Sequence, residues 1–430
     1  VTSSNLGDRD RLVAEHDRAV HDHAALVARG LSLDLTRGKP SARQLDLSEA
    51  LLALPGEGDH TAADGTDCRN YGGLQGLPEL REIFSGPLQV PAAQLVVGGN
   101  SSLAMMHDTV VQALLSRLPG AERRWVDEPR VAFLCPVPGY DRHFALCERF
   151  GIELIPVPMT PEGPDMDVVE RLVREDAQVK GIWCVPKYSN PDGVCYSDET
   201  VRRLAAMPTA APDFRVFWDN AYAVHHLADS PVEIADILEL CAENGNPDRV
   251  FVFGSTSKIT LAGAGVAFFG SSPANVAWLI GNAAKQTIGP DKINQLRHVR
   301  FLKDAEGLAA HMRRHRDLIR PKFDAVIRIL DKELGGTGLA SWSDPAGGYF
   351  ISLDVPEGCA REVVRKAAEA GIALTPAGAT HPYGDDPLDR TIRVAPTYPD
   401  LEELELAIEG LAVCVRLVAT ARLMERASGS

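Results

Sequence analysis

Val250-Phe251-Val252-Phe253-Gly254-Ser255-Thr256-Ser257-Lys258 runs from four apolar residues, through a glycine and three small hydroxyls, to a single lysine. A short run rich in Val and Phe fits a strand buried on both faces. Taken alone it also fits a segment of buried helix. It is not alone. Apolar runs of the same kind recur at 94–98, 131–137, 153–157, 181–185, 215–218 and 265–269, with helix-like stretches between them. That recurrence predicts an α/β fold, with a large domain over 59–310 built on a mostly parallel seven-stranded sheet between helices.

Beyond residue 310 the pattern changes. A long charged helix over 308–334 leads to Gly347-Gly348-Tyr349-Phe350-Ile351-Ser352-Leu353, which reads as a strand. A helix over 360–370, strands at 372–375 and 390–395, and a final helix from Asp400 follow. These make a smaller α+β domain over 311–430. The N-terminal segment, 1–58, is expected to complete it. That segment reads as a helix bearing Leu12, Val13, Val20, Ala24, Leu26 and Val27, then the polar loop Thr36-Arg37-Gly38-Lys39-Pro40-Ser41.

The chain has 430 residues, 45% of them hydrophobic, and a net charge of −15. An apolar fraction of this size supplies a substantial core. The acidity argues against nucleic acid or an anionic membrane surface as a partner. Any anionic ligand must be held by local positive groups. The eight cysteines include no C-x-x-C pair, so they read as free thiols in a reducing, cytoplasmic compartment. The start of the chain lacks the pattern of a signal peptide, and no run of about 18 apolar residues is present. No metal site is expected.

In open α/β sheets, ligands sit beyond the carboxyl ends of the strands. Five such junctions carry polar groups. Val97-Gly98-Gly99-Asn100-Ser101-Ser102 precedes a helix-like stretch, whose free N–H groups and dipole suit a phosphate. Taken alone, these residues read more simply as a plain turn with a Ser N-cap. Pro138-Gly139-Tyr140-Asp141-Arg142-His143 offers an aromatic ring that can stack on a flat heterocycle or simply pack. Pro186-Lys187-Tyr188-Ser189-Asn190-Pro191 places an Asn amide in a turn, where it can donate to a phenolate oxygen. Phe217-Trp218-Asp219-Asn220-Ala221-Tyr222 puts a carboxylate straight after an apolar strand, which is expensive unless it is paired. No partner is spaced to complete a metal site, and a protonated ring nitrogen is the other explanation. Lys258 closes the fifth junction. Burial there lowers a lysine's pKa and favours the nucleophilic amine.

Together the junctions match the needs of pyridoxal 5′-phosphate. In order and spacing, from Asn70-Tyr71 to Arg393, the chain resembles the aspartate aminotransferase superfamily of fold type I, and in particular a bacterial subgroup with the loop Thr-Arg-Gly-Lys-Pro and the lysine segment Ser-Thr-Ser-Lys-Ile-Thr. The resemblance implies that Lys258 forms the cofactor aldimine and shuttles the proton. It implies that Asp219 pairs with the pyridinium N–H, and that Tyr222 and Asn190 bond the phenolate oxygen. Tyr140 would stack on the ring. Asn100, Ser101, Ser102, Ser255 and Ser257 would bind the phosphate, with Tyr71 reaching in from the neighbouring subunit of a homodimer. Arg393 would clamp the substrate α-carboxylate, and Gly38 would let a loop close over it.

One departure stands out. Relatives usually carry an Arg a few residues after the lysine, whereas here the segment is Leu261-Ala262-Gly263-Ala264-Gly265-Val266. Ser257, Thr260, or the segment from Lys285 to Pro290 reaching across the dimer are the candidates to replace it. The expected reaction is ping-pong transfer of an amino group from an L-amino acid, aspartate by resemblance, to a 2-oxo acid such as 2-oxoglutarate. A distal carboxylate needs a second cation, with Arg37 first among Arg37, Lys39, Lys292 and Arg297. The rivals are a carbon–sulfur β-lyase on the same scaffold and a cofactor-sensing transcription regulator. The latter carries an added DNA-binding domain, and only about 30 residues precede the first loop motif here.

Overall fold

The computed structural model describes residues 3–36 and 38–429. All seven apolar runs are strands of one sheet. Across it the order is Leu95–Val97, Ala267–Gly270, Val250–Ser255, Arg215–Asp219, Val179–Cys184, Ala132–Val137, Glu153–Thr160 and Gly163–Pro164. The four central pairings, from Val250–Ser255 to Glu153–Thr160, are parallel, while Ala267–Gly270 runs against its two neighbours. The eighth strand, Gly163–Pro164, has two residues and merely turns back on Glu153–Thr160.

The period of two in each strand sorts side chains between two cores. Val216, Trp218, Val252 and Phe268 face one side, against Leu80, Ile83 and Phe84 of the helix Pro78–Leu88. Phe217, Phe251, Phe253 and Phe269 face the other, with Phe133, Trp183 and Trp125. Each such buried side chain contributes roughly 1.5–3 kcal/mol relative to exposure.

A third core lies outside the large sheet. Ile351–Asp354 pairs antiparallel with Ser341–Trp342 and with Thr391–Val394, and Leu33–Asp34 pairs in parallel with Ile372–Ala373. The helix Ala305–Leu334 brings Val326, Ile329 and Leu330 onto Ile351, Leu353, Ile392 and Val394. The helix Ser3–Ala28 lies along Leu401–Gly429, with the His16 ring 3.0 Å from the Thr420 hydroxyl.

Two boundaries differ from expectation for a physical reason. The strand read from Gly347 begins only at Ile351. A Cβ on Gly347 would lie 2.5 Å from the Tyr188 ring, and Gly348 has a φ of +89°, so both glycines serve close backbone approach, not strand pairing. The long helix begins at Ala305, because Asp304 caps it by accepting from Gly307 N at 2.8 Å.

Candidate active site

Parallel neighbours send their following loops out of the same edge of a sheet. Register pairs Asp219 with Phe253 and Trp218 with Cys184, so the loops after three strands emerge side by side. They enclose a cavity of about 200 Å³. Ser101, Ser102, Tyr140, Asn190, Asp219, Tyr222, Ser255, Ser257 and Lys258, all singled out in the sequence, line it.

Lys258 is half-buried at the cavity wall. Its Nζ lies 5.2 Å from the Tyr222 ring centroid and 5.8 Å from that of Tyr349. Burial pushes its pKa below the ordinary lysine value, with the Asp219 carboxylate opposing the shift. Behind it, the Lys258 carbonyl lies 3.3 Å from His225 Nε2 and accepts from the Tyr349 hydroxyl at 3.4 Å. The next carbonyl, of Ile259, lies 2.7 Å from His311 Nε2. His311 meets His315, which Gln44 joins to the Tyr349 hydroxyl. None of these supporting residues was anticipated. A lone His on a helix face carries no sequence signal for such a contact.

Asp219 is buried, with one oxygen engaged and one free. His143 Nε2 lies 3.0 Å from Oδ2. Among the described residues, Oδ1 has no partner although it is buried. An orphan carboxylate oxygen beside a cavity calls for a donor on a ligand. Burial first, then Asp219, pushes the Tyr140 phenol up to about 12. Burial likewise holds the Tyr222 phenol well above its usual range, so both are proton donors at neutral pH.

The far end of the cavity gathers hydroxyls at a helix N-terminus. Ser101 caps the helix Ser102–Leu115, accepting from Ala104 N at 3.2 Å. The Ser255 and Ser257 hydroxyls lie 3.1 Å apart. Asn100 is set outside the lining, its amide donating to Gly263 O at 3.4 Å. Thr260 is turned away, with its hydroxyl 2.9 Å from His298 Nε2 in a buried cluster with Thr256.

Arg393 is 8% exposed and stands over the Phe350 ring at 5.0 Å. Its Nη1 donates to Asp141 Oδ1 at 2.9 Å and to Asn190 Oδ1 at 3.4 Å, and Nη2 to the Thr375 hydroxyl at 3.4 Å. With Oδ1 turned to Arg393, the Asn190 NH₂ group is left for the cavity. Gly38 borders the same place, since a Cβ there would lie 2.1 Å from Phe350 Cζ.

The remaining cations are placed less favourably. Lys292 Nζ donates to Asn70 O at 2.8 Å and Gly72 O at 2.6 Å, and Arg297 Nε donates to Leu54 O at 2.8 Å, so both serve backbone. Lys39 Nζ stands 4.0 Å over the Tyr398 ring. Arg37 lies outside the described residues. Tyr71, held at its loop by Lys292, is 81% exposed and projects from the surface.

The cavity thus brings together an amine, an orphan carboxylate oxygen and a helix N-terminus. The family model for aspartate amino-transferase matches residues 8–427. An aspartate aminotransferase of Corynebacterium glutamicum is 52% identical over 412 residues, covering 96% of this chain and 95% of that protein. The crystal structure of an aspartate transaminase from that organism superposes with a TM-score of 0.94 at 51% identity, over 96% of this chain and 97% of the other. The α-aminoadipate aminotransferase LysN of Thermus thermophilus, complexed with N-(5′-phosphopyridoxyl)-L-leucine, shares the fold, with a TM-score of 0.73 at 22% identity over 92% and 95% of the chains. The chain belongs to the aspartate amino-transferase family. It is an aminotransferase, and neither the lyase nor the regulator reading is favoured. No helix among the described residues is long and apolar enough to cross a membrane.

Proposed function

We propose that this enzyme holds pyridoxal 5′-phosphate on Lys258 and moves the amino group of an L-amino acid, aspartate foremost, to a 2-oxo acid such as 2-oxoglutarate. The observation that carries the reading is the buried, unpartnered Asp219 Oδ1 in the same cavity as the Lys258 amine. The residues fit the group. Ser101, Ser102, Ser255 and Ser257, with the N-terminus of Ser102–Leu115, would hold the phosphate, and Asn100 stands next to them. Asp219 would hold the proton of the ring nitrogen. Tyr222 and the Asn190 amide would donate to the phenolate oxygen, and Tyr140 would lie against the ring.

When bound, the cofactor supplies an aldehyde carbon for amine exchange and an electron-poor ring that stabilises charge developing at the substrate Cα. The protein does the rest. Arg393 and Asn190 bind the α-carboxylate and orient the Cα–H bond. Lys258 would carry the cofactor and would also serve as the base, taking the proton from the substrate Cα and holding it inside the cavity for return. Burial lowers its pKa, which favours the neutral form that a base requires. Asp219, buried beneath the cavity, would present its free oxygen to the ring-nitrogen proton. Gly38 gives room for the loop that excludes water.

The aspartate preference rests on the Corynebacterium relatives, with Arg37 and Lys39 as candidates for the distal carboxylate. A homodimer sharing its sites is supported by Tyr71 and Ile288, which are 81% and 64% exposed at one surface. Close packing of Gly289 against Gly72, where an added Cβ would lie 2.5 Å from Gly72 O, joins their loops there. We place the enzyme in the cytoplasm, consistent with eight unpaired cysteines. We divide the chain into an N-terminal segment to 58, a large domain to 310 and a small domain beyond, following the separate cores.

An absorbance spectrum of the purified protein tests the reading. A visible cofactor band that shifts on adding aspartate, with glutamate formed from 2-oxoglutarate, is expected. Pyruvate and ammonia released from cystathionine, with no transfer, would mean a lyase instead.

A further inference from the structure

The geometry points to Asp141 as a built-in carboxylate that pairs with Arg393 and that the substrate must displace; the inference rests on Arg393 being the clamp for the substrate α-carboxylate. Three observations carry it. First, Arg393 is almost wholly buried, and among the described residues Asp141 is the only carboxylate within ion-pair distance, at 2.9 Å. A buried guanidinium without a counter-ion is strongly unfavourable, so something must fill that role before substrate arrives. Second, the partner that can leave is Asp141. Its side chain is 31% exposed against 8% for Arg393. Third, it has somewhere to go. Arg142, 63% exposed, already places Nε 3.9 Å from the other oxygen of Asp141. Asp141 also opens the helix Asp141–Arg149, whose N-terminus favours its charge when the guanidinium is lost.

The chain therefore carries an internal competitor for its own substrate. Arg393 stays in place over Phe350, and two carboxylates, one tethered and one free, contend for Nη1. Asp141 is in this sense a positioning residue that sets affinity. It keeps Arg393 ordered between turnovers, and it weakens binding of every carboxylate ligand by the strength of the bond that is exchanged. Asn190 shares Nη1 at 3.4 Å and remains to the incoming group when Asp141 withdraws.

The test compares Asp141→Asn, Asp141→Glu, Arg393→Ala and the Asn/Ala double variant of the holoenzyme. The probe is maleate, with its Kd read by calorimetry, and KM and kcat for aspartate are measured alongside. Thermal unfolding confirms that each variant is folded. Asp141→Asn is expected to lower the maleate Kd and the aspartate KM roughly tenfold, the size of one charge-assisted hydrogen bond, with kcat changing by less than about threefold. Asp141→Glu should restore wild-type values. In the Arg393→Ala background, Asp141→Asn should change Kd by less than about twofold. An unchanged or weaker Kd in Asp141→Asn overturns the inference, as does an equal tightening in the absence of Arg393, which would reduce Asp141 to a general charge effect. If Arg393→Ala alone leaves Kd and KM at wild-type values, the clamp reading itself fails. If Arg393→Ala weakens binding while Asp141→Asn does nothing, only the competitor role is lost.

Discussion

His143 Nε2 lies 3.0 Å from Asp219 Oδ2, and the same imidazole stacks on Trp183, with centroids 4.3 Å apart and planes 10° from parallel. The indole fixes the ring, and the ring fixes one oxygen of the carboxylate, which leaves the other aimed at the cavity. Replacing His143 by Phe keeps the stack and removes the bond. A hydrogen bond to a charged group contributes about 1.5–3 kcal/mol. His143→Phe is thus expected to lower kcat/KM for aspartate by roughly ten- to a hundredfold, with weaker retention of the cofactor on dialysis. Wild-type kinetics in that variant would show that Asp219 needs no such support.

Lys258→Ala should abolish turnover while leaving some cofactor bound non-covalently, because the serines, Asp219 and Tyr222 that surround it remain. The measurement is a single-turnover reaction followed by absorbance. Appreciable transfer in the variant would contradict the role of the amine as base.

Gly38→Ala should act on substrate affinity. The added methyl would meet Phe350 Cζ at 2.1 Å, and Phe350 carries Arg393 on its face. Displacing that ring costs about 1–3 kcal/mol as overpacking. The expected result is an aspartate KM raised roughly tenfold, with the cofactor absorbance unchanged. An altered absorbance with normal KM would place the effect elsewhere.

Acid should weaken the fold through buried imidazoles. Burial pushes both His298 and His315 down to about 4, from an ordinary value of 6.5. Between those values the unfolded chain binds protons that the folded chain refuses. Stability is therefore full above pH 6.5 and falls as the pH is lowered toward 4. Each ring adds at most about 1.4 kcal/mol per pH unit to that slope. His315→Gln should make the slope shallower in denaturant titrations at pH 7, 6 and 5, and an unchanged slope would remove His315 from the account.

Lys292→Met is expected to loosen the Tyr71 loop. It deletes the donor to Asn70 O and Gly72 O and leaves two carbonyls without it, at about 1–3 kcal/mol. Sedimentation should then show a dimer that dissociates at higher concentration than the wild type. Identical sedimentation would detach this anchor from assembly.

Much of this was legible in the residues. The seven strands announce themselves because apolar residues crowd short runs, most densely in Val250-Phe251-Val252-Phe253. The loops after them could be read because strand order brings their ends to one edge. What could not be read is pairing across the chain. Asp141 stands beside Tyr140 in a loop whose importance is plain, yet its partner Arg393 is 252 positions away. Thr260 looked fit to replace a missing cation, but its hydroxyl faces His298 behind the lysine. Gly347-Gly348 resembles the start of a strand because a glycine that admits a neighbour's ring has no signature of its own.

The two helices at the extremes of the chain lie side by side, and their contact spans 404 positions between His16 and Thr420. During synthesis, the large sheet has all its strands once residue 270 has emerged, whereas Leu33–Asp34 and the first helix have no partner until the last quarter of the polypeptide follows. The layer that carries Arg393 is therefore assembled from segments far apart in the polypeptide, and Tyr222 of the cavity packs in that same layer.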